Sequence, residues 1–195
     1  MVLKFLLGRQ PDLRRQAAAL YSQLVSQARH PWFYTEAGVP DTLDGRFEVI
    51  VLHLWALQKQ MKAEVANLEL PTEKSEARSG GGSEAVGAKA PLAQLLMEIA
   101  FDDLDRSLRE LGVGDMGVAR RIRAMADGIY GRFEAYDRAL GEEAALTEAL
   151  KRNVYGTVKT STEAIDLLVN YTLSLQKPPA TEITQWPVLP QVSSA

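Results

Sequence analysis

Three aspartates stand within four residues at Asp102, Asp103 and Asp105, in the stretch FDDLDRSLRE (101–110). Carboxylates spaced this closely on a helix suit Mg²⁺ bound to a diphosphate. That chemistry needs a second acidic wall, because the metal ions bridge the diphosphate from both sides. No comparable cluster follows; Asp137, Glu142 and Glu143 in AYDRALGEE do not form a matching array. Helical pairing accounts for the same charges. Asp102 precedes Arg106, and Asp105 precedes Arg109, by four residues with the acid N-terminal, each exposed pair contributing about 0.3–0.5 kcal/mol. An all-helical Mg²⁺-dependent enzyme acting on an isoprenoid or quinone-related diphosphate through these aspartates is therefore the competing reading.

The next residues, LGVGDMGVARR (111–121), place Gly112, Gly114 and Gly117 at the spacing G-x-G-x-x-G. A dinucleotide fingerprint requires a strand before these glycines. Here Met97, Phe101, Leu104, Leu108 and Leu111 step by three and four, which is a helix. The glycines therefore read as punctuation between two helices. Gly112 falls where a left-handed C-terminal cap belongs, and Asp115 is placed to cap the helix that follows. The free amides of that helix, with Arg120, Arg121 and Arg123 close by, suit a carboxylate or phosphate; a solvated basic face explains them equally well.

Other reactive groups are sparse. The chain has no Cys, which removes disulfides, thiolate metal sites and thiol catalysis. His30 and His53 are its two histidines, and His53, in VLHLWAL, reads as a core histidine. No G-x-S-x-G occurs. No catalytic, cofactor or metal residue is assigned. Gly128 and Gly131 interrupt the helical pattern of ADGIYGRFEAY at a cost of roughly 1 kcal/mol each relative to Ala. A backbone must come close there, either another helix of the domain or an external partner.

The elements that position these residues are helical throughout. Leu13, Ala17, Leu20, Leu24 and Ala28 mark a first helix. HPWFYTEAGVPDTLDG (30–45) breaks it, with Pro31 and Pro40 disfavouring helix before them and Asp41 or Asp44 as the next cap. Phe47 to Met61 is apolar on nearly all sides and predicts a central, buried helix. Residues 70–90 carry few large apolar groups and predict a mobile loop. Pro91 fits the first position of the following helix. Val118 to Leu140 forms another, with shorter helices over 142–153 and 160–175. The prediction is an all-α protein: an N-terminal segment 1–9, one helical domain 10–175 of about six helices, and an extended proline-rich tail 176–195 whose Trp186, Val188 and Leu189 dock on the domain or on a partner.

Composition sets bounds on function. Hydrophobic content of 46% and charged content of 24% are those of an ordinary globular chain. A net charge of −3 gives no overall footprint for nucleic acid. No run reaches the roughly 20 apolar residues of a membrane-spanning helix. Val2–Leu7 is the apolar part of the N-terminus, too short for a secretory signal, and it either caps the core or touches a membrane surface.

Several phrases recur together and in order: FYTEAGVPDT, DGRFE, LRELGVGD, YGR and RNVYG. Over about Val25 to Gly156 the chain resembles the ubiquinol–cytochrome c chaperone family, assembly factors for the cytochrome bc1 complex. The resemblance implies a helical chaperone that binds newly made cytochrome b and helps its insertion, haem loading or assembly. It implies no catalytic residues. The short N-terminus suits a bacterial form at the cytoplasmic face of the inner membrane. A ribosome, a small partner subunit and anionic lipid stand as further contacts.

A chaperone of this kind shields an apolar helix in a groove and reads its flanks with rim charges. The candidate contacts are Trp32, Phe33, Tyr34 and Arg46 on the first linker, and Asp102, Asp105, Arg109 and Asp115 around the corner. Further along, Arg120, Arg121, Tyr130, Arg132, Asn153 and Tyr155 complete the set.

Overall fold

A computed structural model of the chain describes residues 2–69, 82–110, 112–176 and 186–190, with side chains described over 12–63, 91–110, 112–176 and 186–190. The described elements are helices: α1 (Val2–Ala28), α2 (Trp32–Thr35), α3 (Leu43–Glu69), α4 (Gly82–Glu110), α5 (Asp115–Ala139), α6 (Glu143–Leu150) and α7 (Thr162–Ser174). A π-helical turn, Lys151–Tyr155, extends α6. The α2 element is a single turn, so the longer helices are six, as the sequence predicts.

The arrangement follows from α3. Every residue from Val51 to Gln58 is buried, so this helix has no solvent side along its middle. Its two faces serve two hydrophobic clusters. Val51, Leu54, Leu57 and Met61 pack with Ala17, Leu20 and Leu24 of α1 and Leu92, Leu96 and Ala100 of α4. Val49, Leu52, Trp55 and Ala56 pack with α2, the C-terminal half of α5, α6 and α7. Truncation of a side chain such as Trp55 to Ala carries a cost of about 3–5 kcal/mol at so enclosed a position.

Helix boundaries differ from the sequence reading in three places. The α1 helix runs back to Val2, so residues 2–9 continue it. Pro91 lies inside α4, which starts at Gly82; the tract SEAVGAKA is rich in good helix formers, and extending a helix costs less than nucleating one. Residues 82–90 of the expected loop are therefore helical, while 70–81 lie outside the described residues. At the start of α3 the cap is Thr42, whose Oγ1 accepts the Gly45 amide at 3.1 Å, in place of Asp41 or Asp44. Asp41 instead binds Arg46 Nε at 2.6 Å.

The first linker is fixed by two glycines. Gly38 has φ +62°, a conformation L side chains rarely adopt. At Gly45 a Cβ would lie 2.0 Å from the Pro40 carbonyl oxygen, so only glycine lets the linker fold onto the first turn of α3. Gly112 takes the left-handed conformation predicted for it, at φ +78°.

Candidate partner-binding site

At the α4–α5 corner, the three aspartates have separate partners. Arg14 of α1 reaches Asp102 at 3.3 Å. The Tyr21 hydroxyl donates to Asp103 at 2.9 Å, and burial with the Asp103 charge pushes that hydroxyl above the ordinary tyrosine range. Arg106 pairs with Asp103 at 3.6 Å, one residue away from the predicted Asp102. Arg109 binds Asp105 at 2.6 Å as predicted and also pairs with Asp115 across the turn. The wall facing the aspartates is α1, which offers a guanidinium and a phenol. Among the described residues no group of three His, Cys, Asp or Glu is placed to hold a metal ion. Asp115 is the first helical residue of α5, where its carboxylate makes no cap; Gly114 occupies the cap position.

A second constellation is buried. Arg132 of α5 forms a two-pronged pair with Glu48 of α3, its Nε donating at 2.5 Å. Glu48 is 5% exposed, and burial pushes its carboxyl up despite the pull of Arg132. Arg132 Nη1 also donates to the Gly128 carbonyl at 3.0 Å. A Cβ at Gly128 would meet that Nη1 at 2.9 Å, so this glycine makes room for the guanidinium of its own helix. Nothing lies within 4 Å of where a Gly131 Cβ would stand. The predicted close approach of another helix is thus absent at both glycines among the described residues. Among the described residues, Tyr136 Oη and Asn153 Nδ2 are buried without partners in the same α5–π-turn region. Tyr155 Oη donates to the Ala37 carbonyl at 2.7 Å, tying the π-helical turn to the first linker. The phrases DGRFE and YGR therefore meet through Glu48 and Arg132, and FYTEAGVPDT and RNVYG through Ala37 and Tyr155.

A surface hollow lies elsewhere, between α3, α4 and α5. Two adjoining cavities of about 330 and 540 Å³ share Gln58, Lys62, Phe133 and Asp137. Trp55 and Ala63 floor one of them; Ala93, Met97 and Tyr130 line the other. Asp137 accepts the Trp55 indole N–H at 3.0 Å and Lys59 Nζ at 3.1 Å, fixing one rim. Gln58 Nε2 donates to the Ala93 carbonyl at 2.7 Å between the two cavities. The result is a largely apolar, aromatic trough edged by Lys62, Glu134 and the Lys59–Asp137 pair.

The sequence-predicted residues divide accordingly. Trp32, Phe33 and Tyr155 are buried in the core. Tyr34 donates to the Ala28 carbonyl at 2.8 Å under the Arg46 guanidinium. Asp102, Asp105, Arg109 and Asp115 are engaged at the corner as above, and Arg120 and Arg121 are exposed on α5. Arg132 and Asn153 belong to the buried constellation. Tyr130, 55% exposed, is the one of the set that lines the hollow. Gln58, Lys62, Met97, Phe133 and Asp137 are absent from the prediction. Gly131 beside Tyr130, an open stretch of helix where Ala would serve better, was their nearest sequence signal.

Comparison with known proteins accounts for the recurring phrases. The ubiquinol-cytochrome C chaperone model matches residues 35–176. The chain belongs to that family. The match takes in α7 beyond the resemblance read from sequence, and it begins later, leaving out α1. Family relatives include ubiquinol-cytochrome-c reductase complex assembly factor 1 of Xenopus laevis, 22% identical over 80% of this chain and 68% of that one. The Homo sapiens protein of that name is 22% identical over 80% of this chain and 45% of its own length. A crystal structure of the Cbp3 homolog from Brucella abortus superposes with a TM-score of 0.66 at 30% identity, covering 92% of this chain and 91% of that one. The chaperone-family match contains the whole buried constellation from Ala37 to Tyr155, so its most recognisable phrases are structural joints.

Proposed function

We propose that the chain is an assembly chaperone for the cytochrome bc1 complex, acting by binding newly made cytochrome b in the α3–α4–α5 trough. Membership of the chaperone family carries the assembly role. The trough supports the rest: its lining of Trp55, Met97, Tyr130 and Phe133 suits an apolar client helix, and the charges at its edge, Lys62, Glu134 and the Lys59–Asp137 pair, suit polar flanks. Arg120 and Arg121, exposed on the N-terminal half of α5, serve as flank contacts. Asp102, Asp105, Arg109 and Asp115 hold the corner from which α5 departs. Trp32, Phe33, Tyr34, Arg46, Arg132, Asn153 and Tyr155 act indirectly, by setting the positions of α2, α3, α5 and the π-helical turn. The ribosome and a small partner subunit remain within this proposal as sources of the client and as co-binders.

No helix among the described residues is long and apolar enough to cross a membrane. Within this proposal the protein acts peripherally at the cytoplasmic face of a bacterial inner membrane. Met116, 91% exposed at the start of α5, with Arg120, Arg121 and Arg123 one and two turns on, gives that face an apolar tip and a basic flank for anionic lipid.

The test is a photoreactive residue in place of Tyr130, crosslinked in cells that make the bc1 complex. Cytochrome b is the expected adduct. Deleting the gene lowers assembled bc1 complex; normal complex levels in the deletion strain would sink the assembly role, whereas adducts lacking cytochrome b would sink only the trough.

A further inference from the structure

The tail segment Trp186–Pro190 rests on a face built by three helices. The Trp186 ring stacks edgewise on His53 of α3, with centroids 5.1 Å apart. Gln27 Nε2 of α1 donates to the Pro187 carbonyl at 3.1 Å and to the Tyr171 hydroxyl of α7 at 3.3 Å. Tyr171 in turn donates to His53 Nε2 at 2.7 Å. Leu189 is buried, while Val188 between the anchors is 97% exposed. Trp186 touches both hydrophobic clusters, so it covers the seam between them.

The attachment is thin. Among the described residues two side chains and one hydrogen bond hold the segment, and its backbone makes no bond to backbone. Among the described residues the buried indole N–H of Trp186 meets no acceptor, a desolvated donor that favours release. Such a segment belongs to the low-stability end of a fold and opens without global unfolding. What it uncovers is a pre-formed aromatic face with a hydrogen-bond donor, Gln27, aimed at a peptide carbonyl. Both Gln27 and Trp186 lie outside the family match, so this feature is distinct from the shared constellation.

We propose that the α1–α3–α7 face is a peptide-binding groove for an extended, uncharged tryptophan–proline segment of a partner polypeptide, held closed by the chain's own Trp186–Pro190. The tail defines the ligand: an aromatic anchor on His53, a proline whose carbonyl meets Gln27, and an aliphatic residue two positions further on. Proline suits such a ligand because an extended segment fixed in advance loses little entropy on docking. No formal charge enters these contacts, so binding is insensitive to salt. The groove is separate from the trough proposed for cytochrome b and stands independently of that reading.

The test uses the full chain and a fluorescein-labelled synthetic peptide, TEITQWPVLP, matching residues 181–190. Trp186→Ala opens the groove, so the variant binds the peptide about tenfold or more tightly than the unaltered chain, which must first release its own tail. Adding Gln27→Ala, or replacing the peptide's tryptophan by alanine, abolishes the gain. Circular dichroism reports folding, and Leu189→Ala serves if Trp186→Ala does not fold. A folded variant that ignores the peptide at all concentrations overturns the proposal. An unaltered chain that is dimeric by light scattering, and monomeric as Trp186→Ala, also overturns it, by seating the tail in a second copy.

Discussion

Arg132 on α5 meets Glu48 on α3 through both Nε and Nη2, and a glycine one turn earlier, Gly128, leaves room for the guanidinium. A carboxylate so enclosed is tolerable only with its cation present. Removing one partner leaves a buried unpaired charge, while replacing both by apolar groups removes the desolvation cost as well. Arg132→Ala should therefore lower stability to urea by about 3–5 kcal/mol. The double variant Glu48→Leu with Arg132→Met should recover most of that loss. Equal losses in the single and double variants would show that the pair works through packing alone.

His53 links the core to pH. Val49 offers only a carbonyl, at 2.7 Å, so Nδ1 carries the proton and Nε2 accepts from Tyr171. The ring is neutral, and burial depresses its pKa to about 4. In the unfolded chain the value is about 6.5. Between those limits the unfolded state holds more protons, so stability is full above about 6.5 and falls as the pH drops toward 4, by on the order of 3 kcal/mol. Urea titrations from pH 7.5 to 4 should show this loss. His53→Gln should flatten that part of the profile relative to the parent, leaving the slope due to carboxylates.

The features readable from sequence were those fixed by local pattern. An apolar run that could suggest a strand read as a buried helix because of its length and its continuation through LQKQMKAEVANL, and α3 is one. Gly112 after the last periodic leucine could only be a helix stop. Choices between near-equal local options were not readable: Thr42 over Asp41 as a cap, Asp103 over Asp102 for Arg106, continuation of α4 through Pro91. The Arg106 pairing is decided by another helix, because Arg14 of α1 takes Asp102; Asp41 is drawn off by Arg46 of the helix it would cap, and α4 runs through Pro91 because extending a helix costs less than starting one. The site was hidden for a related reason. Gln58, Met97, Phe133 and Asp137 sit at ordinary amphipathic positions on three helices, and only the spreading of those helices makes a trough of them. Glu48 was the exception that sequence could have flagged, an acid set among the apolar residues of α3 that had to find a buried cation.

The first linker predicts its own sensitivity. Gly38 sits at φ +62° with Thr160 Cγ2 3.0 Å and the Ala164 Cβ 3.3 Å from the place of a Cβ. Gly38→Ala adds backbone strain to crowding, and should cost about 1–3 kcal/mol. Tyr155→Phe leaves the Ala37 carbonyl without its donor at a buried position, which should cost about 1–3 kcal/mol. Both act on the junction between linker and π-helical turn, so their effects in thermal unfolding should not add when combined. Strict additivity would place the two residues in separate units.

The trough makes a prediction in which stability and binding separate. Tyr130 is exposed on α5, and its ring lies 6.2 Å from that of Phe133. Tyr130→Glu puts a charge on the apolar floor next to Glu134 and Asp137 while burying nothing, so unfolding in urea should change by no more than about 0.5 kcal/mol. An apolar client helix would instead have to desolvate that carboxylate. Recovery of cytochrome b with the tagged chain from solubilised membranes should then fall about tenfold or more, the ratio that corresponds to 1.4 kcal/mol. Lys151→Ala, exposed on the π-helical turn away from the trough, should leave recovery unchanged. If Tyr130→Glu retained its client while Lys151→Ala lost it, the binding surface would lie on the α6 side of the molecule, and the trough would be a gap between helices with no client in it.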